Sequence, residues 1–78
     1  QKIKYTSRKT TREKLMAYLT DQAKLKRSND FTIPFNRQEL ADYLGVERSA
    51  MSAELGKLTK LGILRTQRSH FTLLKPLD

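Results

Sequence analysis

The sequence lacks the residues that metal, redox and membrane chemistry need. It has no cysteine and one histidine, which excludes a disulfide scaffold, a thiolate metal site and a cluster of histidine ligands. No apolar run approaches the roughly 20 residues of a membrane span, and there is no signal-peptide hydrophobic region. With 78 residues the chain has room for one compact domain and none for a separate catalytic lobe. Because it starts at Gln1 without an initiator methionine, we expect a fragment of a longer protein.

Acidic residues are scarce relative to basic ones. The chain has 16 Lys and Arg against 8 Asp and Glu, a net charge of +8 and a pI near 10.1. Residues 1–30 have a net charge of +6, residues 31–64 are neutral and residues 65–78 have a net charge of +2. We therefore expect the two ends to bind an anion, with nucleic acid favoured over an anionic membrane surface. The alternative is that the cations only solvate the faces of a small domain.

The first part of the chain predicts a helix followed by a short strand. Thr10 and Glu13 fit a capping box, and apolar residues recur after them at helical spacing, so the helix is predicted from about Thr11 to Lys26. Turn residues follow, and then Phe31–Phe35 alternates apolar and polar side chains as a strand does. Pro34 donates no ladder hydrogen bond, so this strand is edge-like or ends there.

The second part predicts two helices and a hairpin. Gly45 lies where a helix would need a left-handed exit, and Gly62 ends the next helix. The predicted elements are a helix opened by the cap-like quartet Asn36–Glu39, a helix from about Arg48 to Leu61, and strands at Ile63–Leu64 and His70–Leu74 around a polar turn at Thr66–Ser69. The predicted fold class is α+β, a winged helix-turn-helix with three main helices and a small antiparallel β-hairpin wing.

Residues 37–58 have the spacing of a helix-turn-helix. Ala41 is small where the second helix has to cross closely, Gly45 allows a sharp turn four residues later, and Met51 is placed to anchor the second helix. The outer face of that helix then stays available to the major groove, which is just wide enough to admit a helix. The alternative is an ordinary helical hairpin in which Gly45 is only a C-cap.

The sequence closely resembles the DNA-binding domain of the Crp/Fnr family of bacterial transcription regulators. The resemblance rests on RQELADYLGV at residues 37–46, RSAMS at residues 48–52 and LGIL at residues 61–64, and it covers about residues 10–74. It implies that residues 1–9 are the end of a dimerisation helix and a hinge, that residues 10–78 form the winged-helix domain, and that the sensor barrel of the family is missing. It also implies double-stranded DNA as the partner, a homodimer in the full-length parent, and RNA polymerase as a contact of activating members.

The resemblance assigns contacts position by position. The residues that match base-reading positions or lie beside them are Arg48, Ser49, Ser52 and Ala53. Those expected to contact DNA phosphates are Thr11, Arg12, Arg37, Gln38, Lys57, Gln67, Arg68 and Ser69.

Two of these positions depart from the pattern of well-known members, which carry Glu where Ser49 stands and Arg where Ala53 stands. The usual half-site of the family therefore does not transfer to this chain. Arg48 is the expected main reader of bases, because arginine can pair with guanine through two hydrogen bonds.

Two residues suggest chemistry without supporting it. His70 has no cysteine, second histidine or adjacent carboxylate near it in the sequence, so we expect it on the surface. No other imidazole is available to activate a serine, and we predict no catalytic residue, no metal site and no cofactor in this fragment. Glu54 could contact cytosine or pair with Lys57 at i+3, and we interpret it as a surface residue.

Three functions remain open at this point. The leading one is sequence-specific binding of double-stranded DNA as the output domain of a regulator, with residues 48–61 in the major groove and the wing on the backbone. The others are a winged-helix protein-interaction module and a non-specific nucleic-acid binder, which differ in the salt dependence of nucleic-acid binding. DNA binding and the lack of targeting signals predict a cytoplasmic location.

Overall fold

A computed structural model describes residues 10–74 of the chain. The predicted dimerisation helix and hinge at residues 1–9 lie outside the described residues, as do residues 75–78. The elements in chain order are α1 (Thr11–Lys26), β1 (Asp30–Thr32), α2 (Arg37–Leu44), α3 (Arg48–Lys60), β2 (Leu64–Gln67) and β3 (His70–Leu73). The predicted α+β winged helix-turn-helix is confirmed. No helix among residues 10–74 is long and apolar enough to cross a membrane.

Local hydrogen bonds explain where α1 and α2 begin. The backbone N–H of Glu13 donates to Oγ1 of Thr10, and its carboxylate accepts from the backbone N–H of Thr10, both at 3.1 Å. Asn36 and Glu39 form the same reciprocal pair at 2.8 and 2.9 Å. Each pair satisfies backbone donors that the first helical turn leaves without intrahelical partners. Both predicted cap signals are therefore confirmed.

A tight turn joins α2 to α3 at Gly45. Its φ of 72° is left-handed, a conformation that glycine adopts without steric cost. The turn lets the Val46 N–H donate back to the carbonyl of Ala41 at 3.0 Å. Ala41 and Met51 are fully buried, so the helix crossing and the anchor predicted from sequence are confirmed.

The sheet has three antiparallel strands in the order β1-β3-β2. β1 ends at Thr32 rather than at Phe35, because Pro34 cannot continue the ladder. The wing differs from the predicted one: Thr66 and Gln67 belong to β2, and the turn shrinks to Arg68 and Ser69. Arg68 has a φ of 55°, a left-handed conformation at the turn where the chain reverses, and Gln67 pairs directly with His70.

The core lies between the three helices and the inner face of the sheet. Its largest fully buried side chains are Leu15, Leu19, Leu40, Leu44, Met51, Leu58, Leu64 and Phe71. Tyr18 and Tyr43 pack edge to face at 5.6 Å between ring centroids, and Phe35 lies 5.0 Å from Tyr43. Burial raises the pKa of Tyr18 to about 12, helped by the neighbouring Tyr43. Tyr18 is a buried core residue, and Tyr43 is partly buried and packs against the core.

Candidate nucleic-acid interface

The helix α3 has one buried side and one exposed side. Met51, Leu55 and Leu58 are buried, and they pin the helix against the rest of the domain. The four residues expected to read bases are all exposed: Arg48, Ser49, Ser52 and Ala53. Ser49 and Ala53 lie opposite the buried side, Ser52 lies beside them, and Arg48 lies at the first position of the helix, three residues before Met51. Ser49 and Ala53 are four residues apart and so share one face of the helix. Small, exposed side chains therefore form this face of α3.

Arg37 lies at the start of α2 and reaches the wing. Its Nη1 donates to the carbonyl oxygen of Arg68 at 2.6 Å, and its Nη2 donates to Oγ1 of Thr66 at 2.9 Å. The guanidinium also lies over the ring of Phe71, 5.3 Å from the centroid. Sequence reasoning treated Arg37 only as a phosphate contact and did not foresee this bracing of the wing. Its two wing partners follow it by 29 and 31 residues, so no local signal marked the contact.

Two arginines of the candidate interface lie close enough to repel each other. The pKa of Arg37 is lowered, first by burial of its guanidinium and then by the positive charge of Arg48. An anion bound near both side chains would relieve that repulsion. Arg37 at the start of α2 and Arg48 at the start of α3 therefore bring two positive charges near each other.

The remaining wing residues differ in how accessible their side chains are to a ligand. Gln67 and Arg68 are exposed, whereas Ser69 is half-buried. The Ser69 hydroxyl donates to the carbonyl oxygen of Phe35 at 2.5 Å. A phosphate contact by that hydroxyl as donor would require it to change partner. The contacts predicted for all three residues stay predictions.

A second charged group lies where α1 meets α3, and it consists of Arg12, Glu54 and Lys57. Nε of Arg12 donates to Oε1 of Glu54 at 2.9 Å, and Nζ of Lys57 lies 3.8 Å from Oε2. The Glu54 side chain is 20% exposed, against 45% for Arg12 and 64% for Lys57. Of the two alternatives left open for Glu54, the pairing with Lys57 is present, and Glu54 is less of a surface residue than we expected. Its contact with Arg12 was not foreseen, since 42 residues separate the two.

Two further predicted phosphate contacts lie at helix starts. Thr11 is half-buried at the first position of α1. Gln38 is exposed on α2, and its side-chain amide donates to the carboxylate of Asp42 at 3.0 Å. Their roles toward DNA stay predictions.

His70 lies on the exposed face of the sheet and has a carboxylate partner. Its Nε2 contacts Oδ1 of Asp30, and its Nδ1 lies 2.9 Å from Oγ1 of Thr32. The expected surface position of His70 is confirmed, but its carboxylate partner was not foreseen. Pairing of β1 with β3 brings Asp30 alongside, and residue spacing alone gave no sign of it. Among residues 10–74, no three His, Asp or Glu side chains form a group that could hold a metal ion.

Comparison with known proteins agrees with this geometry. Residues 13–77 match the family model of the Crp-like helix-turn-helix domain. A curated relative, named a probable transcriptional activator of Rhizobium leguminosarum bv. viciae, is 29% identical over 51 residues. The match covers 65% of this chain and 21% of the relative, so the chain spans about a fifth of that protein. The chain belongs to the Crp-like helix-turn-helix family of DNA-binding domains of transcription regulators.

Proposed function

We propose that the chain binds double-stranded DNA sequence-specifically, with α3 in the major groove and the wing against the phosphate backbone. The observation that carries this proposal is that all four candidate base-reading residues are exposed on α3, a helix that Met51, Leu55 and Leu58 anchor in the core. A major groove about 12 Å wide admits one α-helix. The small side chains of Ser49, Ser52 and Ala53 would let the helix approach the base edges closely.

Base recognition would depend mainly on Arg48. Its guanidinium can pair with the O6 and N7 atoms of guanine, which is worth about 1–3 kcal/mol of discrimination. Ala53 can offer only an apolar contact, for instance to a thymine methyl, and serine hydroxyls can donate or accept. The expected half-site therefore differs from that of members with Glu and Arg at positions 49 and 53.

Phosphate contacts would fix the register of α3 in the groove. Arg12 contacts Glu54 of α3, and Gln67 and Arg68 of the wing are exposed, so these residues are candidates for such contacts. The net charge of +8 supports an electrostatic contribution to binding that falls steeply as salt rises.

The whole regulator would act as a dimer, each copy placing one α3 in successive major grooves. Half-sites would then lie about 10–10.5 base pairs apart. We further propose that the chain acts by binding, without catalysis and without a cofactor of its own, in the cytoplasm where its DNA target lies. RNA polymerase is the proposed protein partner, in keeping with the relative named a probable transcriptional activator.

Selection from a random duplex library tests the proposal. The 78-residue chain is used at moderate salt, and enrichment is scored against input. A recovered motif, two-fold symmetric if two copies bind together, would support sequence-specific recognition. Retention of DNA without any motif would favour non-specific binding instead, and weak binding with little salt dependence would favour a protein-interaction module.

A further inference from the structure

A carboxylate lies at the edge of the surface that would face DNA. Glu54 is on α3, next in sequence to Ala53, and it is the least exposed member of the group it forms with Arg12 and Lys57. A negative charge opposite a polyanion opposes binding unless nearby cations offset it. Glu54 nevertheless lies between two cations, Arg12 on α1 and Lys57 on α3, so its position at this surface needs a physical explanation.

The geometry of the Arg12 contact supplies one. An arginine side chain has five N–H donors, and Glu54 accepts from the single donor on Nε, at 2.9 Å. The four donors on the two Nη atoms are not engaged by this bond and form the edge of the guanidinium that pairs with phosphate. A long side chain that is otherwise free to rotate is thereby held in one orientation across the junction of α1 and α3.

We propose that Glu54 is a positioning residue of the DNA interface, which orients Arg12 toward a DNA phosphate and so raises the ratio of specific to non-specific binding. This inference rests on the proposed function. In a specific complex α3 is seated in one register, so a fixed Arg12 meets a phosphate at a fixed place. In a non-specific complex a mobile cation could follow any phosphate, whereas the Glu54 carboxylate repels the backbone in every arrangement.

Binding of the selected duplex and of a random duplex, each measured over a range of salt, tests this role. Glu54→Ala should strengthen binding to the random duplex and lower the specific to non-specific ratio by about tenfold, equivalent to one lost phosphate contact. Glu54→Gln keeps an oxygen that can accept a hydrogen bond from Arg12. Its ratio of specific to non-specific binding should therefore be closer to wild type than that of Glu54→Ala. In a background of Arg12→Ala, the Glu54→Ala substitution should no longer change the ratio.

Glu47→Ala is the matched control. Glu47 is an exposed acid at the N-cap of the same helix, and its side chain makes no capping hydrogen bond. Its removal should strengthen binding to both duplexes alike and leave their ratio unchanged. Urea unfolding of each variant measures stability alongside.

The outcomes separate the two proposals. If Glu54→Ala lowers stability but keeps the wild-type ratio, Glu54 is only a bridge between helices and the positioning role is overturned. The role is equally overturned if Arg12→Ala and Glu54→Ala act additively on the ratio. If the wild-type chain itself does not discriminate between the duplexes, the proposed function fails first, and the Glu54 role fails with it.

Discussion

The guanidinium of Arg37 holds the wing turn to the start of α2, through a 2.6 Å hydrogen bond from Nη1 to the carbonyl oxygen of Arg68. The same side chain bonds Thr66 and covers one face of Phe71. It therefore joins the helix-turn-helix to the hairpin, the two parts that would bind DNA together. If Arg37 also contacts a phosphate, it has to do so through guanidinium N–H groups that are not used in these two hydrogen bonds.

Arg37→Ala should loosen the wing. Two charge-assisted hydrogen bonds and a cation–π contact are lost at a partly exposed site, so we expect about 1–2 kcal/mol of destabilisation. Arg37→Lys should recover little of this, because an ammonium group cannot reproduce the two-pronged contact. Amide hydrogen exchange at Arg68 and Ser69 should accelerate more than exchange in α1. Gln38→Ala, which removes a bond within α2 only, should leave exchange in the wing at its wild-type rate. Equal exchange rates in wild type and Arg37→Ala would contradict the bracing role.

Gly56 and Gly62 should respond to alanine in opposite directions. An added Cβ meets nothing within 4 Å at either position, so space does not distinguish them. Gly56 lies inside α3, where alanine is preferred over glycine by about 1 kcal/mol, and Gly56→Ala should stabilise the domain. Gly62 has a φ of 75°, and Gly62→Ala should destabilise by about 1–2 kcal/mol. The urea midpoint of unfolding, measured for each variant and for wild type, tests this prediction. Midpoints that both rise or both fall relative to wild type would contradict it.

The stability contributed by Asp30 should disappear in acid. Hydrogen bonds from His70 and Thr72 lower its pKa from the ordinary value of 3.8. The folded state then favours the carboxylate, so the contribution is fully present above the unfolded pKa and is lost as pH falls through the lower folded pKa. The difference in Tm between wild type and Asp30→Asn should therefore narrow between about pH 5 and about pH 2. A difference that stays constant over this range would show that the carboxylate charge contributes nothing to folding.

Helix positions could be predicted because their signals are local. The capping boxes at Thr10 and Asn36 lie within four residues of each helix start, and Gly45 marks an exit that few other residues tolerate. The exposed face of α3 followed from the spacing of Met51, Leu55 and Leu58 alone. The fold class and the position of the candidate reading surface were accordingly accessible from sequence.

The bonds that join separate elements were not accessible in this way. Arg12 meets Glu54 across 42 residues, and Asp30 meets His70 across 40. Each contact depends on how two elements pack or pair, and no local periodicity encodes it. The extent of the wing was misjudged for a related reason: a left-handed Arg68 closes a shorter turn than its polar sequence indicated.

The most direct test of recognition by α3 is to repeat the duplex selection with Arg48→Ala. Lys24→Ala, which removes a positive charge near the opposite end of α1 from Arg12, is the control. If Arg48 reads a base, the variant should lose preference at one base pair of each half-site, with a cost of about 1–3 kcal/mol on the wild-type duplex, and keep the rest of the motif. An unchanged motif with affinity reduced uniformly across sequences would contradict base reading by Arg48 and leave it a phosphate contact.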